Sequence, residues 1–269
     1  MIMNDKKCIL ILPYFGKFNN YFSMFLKSCA YNPSYNWLIL TDNNICYDYP
    51  KNVEVIKTTL SSIKKLAEKK LGFLVGLDSA YKLCDFKPTY GLLFEEYIKD
   101  YAYWGHCDCD LIFGNLDKLL TPLLKEGIYD KLFAAGHLTL YRNTYDNNRR
   151  FMKKYKGELI YKTALTQKEI YIFDEDMREK NVHRLFLEDG ANVYQKDLSM
   201  NPTSQFARFR RSYYNPEAHY FHWEDFKKAR YYWNNGNIVC AEMSADKSNL
   251  NYTEYLYMHF QARKMRLKK

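Results

Sequence analysis

The stretch YIKDYAYWGHCDCDLIFGNLD, Tyr97–Asp117, decides how the rest of the chain is read. An aromatic and apolar run, Tyr101-Ala102-Tyr103-Trp104, leads through Gly105 and His106 into Cys107-Asp108-Cys109-Asp110, and a second apolar run, Leu111-Ile112-Phe113, is closed by Gly114-Asn115. Such runs, bounded by glycines, predict a buried strand, a tight turn and a second short strand. Asp108 and Asp110 then stand one residue apart at the end of a buried strand. Buried carboxylates are costly unless their charge is compensated. A divalent cation compensates it, and hard oxygen ligands suit Mg²⁺ or Mn²⁺. Cys107 and Cys109 alternate with Asp108 and are expected on the opposite face, as small core residues.

Toward the N-terminus, Lys7–Pro13 (KCILILP) predicts a first buried strand, Asn20–Ala30 a helix, Tyr35–Thr41 a second strand and Val53–Lys57 a third. Strand, helix and strand at these spacings predict βαβ units and a parallel sheet. Ligands of open α/β sheets lie beyond the carboxyl ends of the strands. Pro13, Tyr14, Phe15 and Asp42 are therefore candidates for holding a base and ribose, or else belong to ordinary turns. Ser61–Leu71 predicts a lysine-rich helix with Ser61 or Ser62 as its cap. Tyr90–Tyr97 is expected to be helical.

Beyond the aspartates, Leu116–Lys125 is amphipathic, Tyr129–Ala135 predicts a short strand and Thr144–Tyr161 is helical in character. Ile170–Phe173 predicts a strand that runs into Asp174-Glu175-Asp176. Asp174 and Glu175 are candidates for a general base, with an acidic helix N-terminus as the plainer reading; Glu188-Asp189 is a second acidic cluster. Phe206–Tyr214 interleaves basic and aromatic residues. His219-Tyr220-Phe221-His222 lacks acidic or cysteine partners at zinc-site intervals, so no zinc site is expected. Trp233–Asn237 predicts a tight turn and Ile238–Ala241 a strand. Near the end, Arg263 and Lys264 have the chemistry to meet diphosphate oxygens.

Together, WGxxDxD (Trp104–Asp110), DFKP (Asp85–Pro88), Gly136-His137 with Tyr141-Arg142-Asn143, and HxQxRKM (His259–Met265) resemble glycosyltransferases of the GT-A fold, in particular those of bacterial capsule and O-antigen clusters, some of which transfer galactofuranose. The resemblance implies a Rossmann-like α/β fold with a mixed, mostly parallel sheet flanked by helices. It implies one domain over 1–269, with a nucleotide-sugar half over 1–117 and an acceptor half over 118–269 that ends in a metal- and diphosphate-binding element. Asp108 and Asp110 would hold Mn²⁺ or Mg²⁺ on the donor diphosphate, and His259 would complete the metal shell. Lys87 would balance diphosphate charge, Asp85 would orient that lysine or contact the ribose, and His137 would line the sugar pocket. The implied activity moves a hexose from a UDP-sugar to a glycan acceptor, expected to be lipid-linked. The segment Asn143–Asn237 matches loosely, and there the identity of the acceptor is decided.

At 269 residues the chain is long enough for one sizeable core. Its net charge of +9 implies an acidic partner: a nucleotide diphosphate or an anionic membrane surface. Nucleic acid is not expected, because no zinc-finger or RNA-binding signature is present. Seven scattered cysteines and the lack of a signal peptide read as reduced thiols in a cytoplasmic protein, peripheral to the membrane at most. Two other classes stay open. One is a metal-dependent nucleotide-sugar pyrophosphorylase or phosphohydrolase, against which the missing glycine-rich N-terminal loop counts. The other is a non-catalytic glycan- or membrane-binding protein with a degenerate GT-A fold.

Overall fold

Strand β1 (Lys6–Pro13) is apolar and buried from Cys8 onward because both of its faces are covered. Ile9 and Ile11 point into one core with Leu38, Phe86, Tyr90 and Trp104; Leu10 and Leu12 point into another with Phe22, Phe25, Trp37 and Phe113. Burial on both faces is what turns strand sequences into continuous apolar runs rather than alternating ones. The structure, a computed structural model, describes residues 6–203, 209–244 and 248–261.

Helix α1 (Phe22–Ala30) connects β1 to β2 (Asn36–Thr41), which lies parallel beside it, and β3 (Val53–Lys57) extends the same edge in parallel. After helix α2 (Leu60–Leu71) and a run of short helical turns, the chain returns on the other side of β1 as β4 (Tyr101–Cys107), again parallel. The connection therefore reverses direction between β1 and β4, and a crevice opens at such a switch point beyond the strand ends. The Asp108–Asp110 turn leads into β5 (Leu111–Phe113), which leaves the main sheet. The strands β6 (Lys131–Leu132), β7 (Leu138–Arg142) and β8 (Val193–Tyr194) complete a seven-stranded sheet of order β3-β2-β1-β4-β7-β6-β8. Only the pairings of β7 with β4 and β6 are antiparallel. This is the mixed, mostly parallel sheet flanked by helices that the sequence predicts.

A second sheet, of order β11-β10-β9-β15-β5, is built from β9 (Ser199–Pro202), β10 (Arg211–Asn215), β11 (Tyr220–Trp223) and the late strand β15 (Tyr257–His259), with β5 at its edge. The strands β12 (Ala229–Asn234), β13 (Asn237–Met243) and β14 (Leu250–Tyr255) form a third, antiparallel sheet. Among the described residues no helix is long and apolar enough to cross a membrane. All seven cysteines are free, and Cys107 and Cys109 are buried in the core as expected.

Four local expectations need correction. Helix α2 starts at Leu60 and is capped by Thr59, whose hydroxyl accepts from the Ser62 N–H at 3.1 Å, so neither Ser61 nor Ser62 is the cap. Thr144–Tyr161 is mostly turns with a short 3-10 segment at Arg150–Met152; left-handed Lys156 and Gly157 end any helix before Ile160–Thr166. Tyr129–Ala135 shrinks to two paired residues. Ile170–Asp176 is no strand, because the Tyr171 and Phe173 N–H groups donate to the Asp85 carboxylate, at 2.8 Å each, and Ile172 adopts φ 64.

Gly91 shows how closely the helical run packs on β4. A Cβ there would lie 2.5 Å from the Trp104 indole, which is fully buried, stacked on Tyr141 at 4.5 Å and tied through Nε1 to Asn148 at 2.6 Å. The ring has nowhere to move. Gly91→Ala is expected to cost about 1–3 kcal/mol by overpacking, read as a fall of several degrees in thermal unfolding.

Candidate active site

The turn after β4 is held from three sides. The Asp108 N–H donates to the His137 carbonyl at 3.1 Å, the Phe260 N–H donates to the Asp110 carbonyl at 3.0 Å, and Asn19 Nδ2 donates to the Cys109 carbonyl at 3.4 Å. Strand β15 pairs antiparallel with β5, with His259 opposite Leu111. That register sets His259 beside the aspartates, although most of the chain separates them in sequence. One ligand atom from each of Asp108, Asp110 and His259 lies within 4.8 Å of the others. His259 Nε2 stands 3.4 Å from Asp110 Oδ1, while Nδ1 meets Asn201 Oδ1 at 3.1 Å; Gln261 Nε2 donates to that same oxygen at 2.7 Å. The Asn201 amide oxygen can only accept, so Nδ1 donates to it; that bond orients the imidazole and leaves Nε2 as the ring atom turned toward Asp110. Two carboxylates and an imidazole make a donor set that fits Mn²⁺ or Mg²⁺.

Beside this cluster lies Lys87, whose side chain is 13% exposed. Its Nζ donates to Asp108 Oδ1 and to the Gly136 carbonyl, each at 2.8 Å, and reaches Asp174 Oδ2 at 3.3 Å. Burial alone would lower its pKa; the carboxylates of Asp108 and Asp174 outweigh that and hold it well above the ordinary lysine value. Asp174 is buried, and desolvation pushes its pKa up to about 7 against the lowering influence of Lys87, with Glu175, Asp108 and Asp85 adding to the rise. Glu175 is also raised, by burial first, while Lys87 and the Gly136 N–H at 3.3 Å oppose it. Gly136 is required here, since a Cβ would run into the Asp174 carboxylate. His137 is buried, and burial, reinforced by His259, Lys87 and His106, drives its pKa well below the usual imidazole value. It is therefore neutral, with Nδ1 paired to the Tyr257 hydroxyl at 2.8 Å.

These residues meet in a cleft of about 840 Å³ at the carboxyl ends of β1 and β4. Pro13, Tyr14, Phe15, Asn19, Tyr81, Cys84, Ile170, Ile172 and Met177 line it together with Lys87, Asp108, Asp110, His137, Asp174, Glu175 and His259. Two sequence candidates lie elsewhere. Asp85 is fully buried, and its carboxylate is taken up by Lys82 at 2.8 Å and by the two N–H groups of the 171–173 loop, so it contacts neither Lys87 nor the cleft. Asp42 accepts the Gly16 N–H at 2.8 Å and shapes the loop after β1 without lining the cleft. Arg263 and Lys264 lie outside the described residues.

Cys84, Asp85 and Asp174 also bring ligand atoms within 4.8 Å, but both Asp85 oxygens already accept hydrogen bonds, from Lys82 and from the Tyr171 and Phe173 N–H groups. Sequence reading missed Asp176, Tyr214 and His219. Asp176 was visible as the third carboxylate of its run, but nothing local marks its partners.

The chain matches the family described as "Family of unknown function (DUF6625)" over residues 10–269. No curated protein matches it. Among solved structures it is similar to the apo form of mouse xyloside xylosyltransferase 1, at 9% sequence identity and a TM-score of 0.43, over 74% of this chain and 88% of that one.

Proposed function

The chain belongs to DUF6625, a family of unknown function, and we propose that it is a metal-dependent glycosyltransferase of GT-A type that moves a hexose from a UDP-sugar to a glycan acceptor. The observation that carries this reading is the convergence of Asp108, Asp110 and His259 at one cleft with Lys87 and the Asp174–Glu175 pair. Asp108, Asp110 and His259 would hold Mn²⁺ or Mg²⁺, which supplies Lewis-acid stabilisation of the departing diphosphate. Lys87 adds a fixed positive charge on the same side, worth most where water is excluded.

Pro13, Tyr14 and Phe15 would bound the nucleoside, and neutral His137 would face the sugar. Asp174 is the better general base of the two carboxylates. Burial brings its proton affinity to about 7, near the optimum for accepting a proton from an acceptor hydroxyl at neutral pH. Galactofuranose as the sugar and a lipid-linked acceptor at an anionic membrane face remain part of the proposal, the latter supported by the net charge of +9.

The test is a panel of UDP-hexoses, incubated with and without Mn²⁺, with release of UDP and transfer to sugar acceptors followed by mass spectrometry. Metal-dependent release from one donor, accelerated by an acceptor, is expected. Release without acceptor stimulation would point to a phosphohydrolase, and release of no nucleotide under any condition would sink the catalytic reading.

A further inference from the structure

The segment that carries Asp174 and Glu175 has no regular secondary structure from Ile170 to Asp176, yet it must hold two carboxylates in place inside a cleft. Buried side chains hold it at both ends. At the front, the two Asp85 oxygens receive the N–H groups of Tyr171 and Phe173, on either side of left-handed Ile172. A β-branched residue at that φ persists only where its surroundings over-determine it. At the back stands Asp176, fully buried. Its carboxylate receives the Tyr214 hydroxyl at 2.6 Å, Arg184 Nε at 2.6 Å, Asn181 Nδ2 at 2.8 Å and His219 Nδ1 at 2.9 Å, and its N–H donates to the Ala134 carbonyl at 3.1 Å. Four side-chain donors satisfy a carboxylate fully and fix it in one orientation.

Tyr214 lies on β10, and His219 sits just before β11. Both strands belong to the second sheet, in which β10 pairs with β9, β9 with β15, and β15 with β5. The sheet that places His259 against the Asp108–Asp110 turn thus also grips the acidic loop from behind.

We propose that Asp176 is a positioning residue, through which the β10–β11 hairpin fixes Asp174 and Glu175 in register with the Asp108–Asp110–His259 cluster; their use in turnover rests on the transferase reading above. Tyr214→Phe removes one donor with little change of volume, and Asp176→Asn removes the charge at the hub. In Tyr214→Phe, amide hydrogen exchange over residues 171–176 is expected to rise about tenfold, the loss of one hydrogen bond, while β1, β2 and β4 stay protected. Its kcat is expected to fall roughly 10- to 100-fold through misplacement of the base, with KM for the donor unchanged. Asp176→Asn is expected to change both readouts further if it folds.

Unchanged exchange over 171–176 in Tyr214→Phe overturns the proposal, as does raised exchange with unchanged kcat. A fall in kcat that tracks a loss of protection across the whole sheet also overturns it, because the role is then only structural. If the wild-type protein turns over no donor, the transferase reading falls and the exchange result alone decides whether Tyr214 holds the loop.

Discussion

Asp110→Asn is expected to abolish metal-dependent binding of UDP and to lower turnover by on the order of 10³-fold or more, since several kcal/mol of charge stabilisation depend on the metal. Asp110 is the member of the cluster that faces His259 Nε2, at 3.4 Å, and its own carbonyl is fixed by the Phe260 N–H. An amide at this position keeps the shape and the backbone bond but withdraws the negative charge. Asp108 then remains engaged with Lys87, and too little charge is left to hold a divalent ion. Calorimetric titration of UDP with Mn²⁺, without it, and on the variant gives the answer. Tight binding that needs the metal and disappears in Asp110→Asn is the expected pattern. Binding that ignores both the metal and the substitution would move the nucleotide away from this cluster. Asp42→Asn is the useful contrast: Asp42 shapes the loop after β1 but does not line the cleft, so its metal dependence should survive.

How far the sequence carries can be seen residue by residue. The strands β1, β2 and β4 are legible because a sheet covered on both faces writes itself as nearly uninterrupted apolar runs, and the aspartates stand out because they end such a run. The position of His259 is not legible from local pattern; it depends on the β15–β5 register, and only the resemblance placed it near the Asp108–Asp110 turn. Ile170–Phe173 misleads for a definite reason. Its composition is that of a strand, but Asp85 takes the N–H groups that a neighbouring strand would need. The same bonds explain why Asp85, read as a group near the nucleotide, is instead a buried support. Tertiary hydrogen bonding has overridden propensity in both cases.

Lys87→Met is expected to lower turnover at neutral pH by roughly 10²-fold, as loss of a preorganised charge at a developing anion does, and to move the acid limb of the pH–rate profile upward. Lys87 is the cation that Asp108 and Asp174 share, at 2.8 and 3.3 Å. Burial raises the Asp174 pKa to about 7 and the lysine opposes that rise, so removing the lysine raises it further. A base must be unprotonated to act, and more of the protein then carries a proton on Asp174 at any given pH.

The same shift predicts a stability signature. The folded protein binds a proton at Asp174 more tightly than the unfolded chain does, so this residue's contribution is full below the unfolded carboxylate value, about 3.9, and is lost as pH rises toward about 7. In Lys87→Met that loss should extend to higher pH. Rate profiles and urea unfolding across the range, with and without Mn²⁺, measure both. A variant whose acid limb stays at the wild-type position would show that Lys87 does not govern the proton on Asp174. Because Lys87 also opposes the rise at Glu175, an unmoved limb would take the base role from both carboxylates.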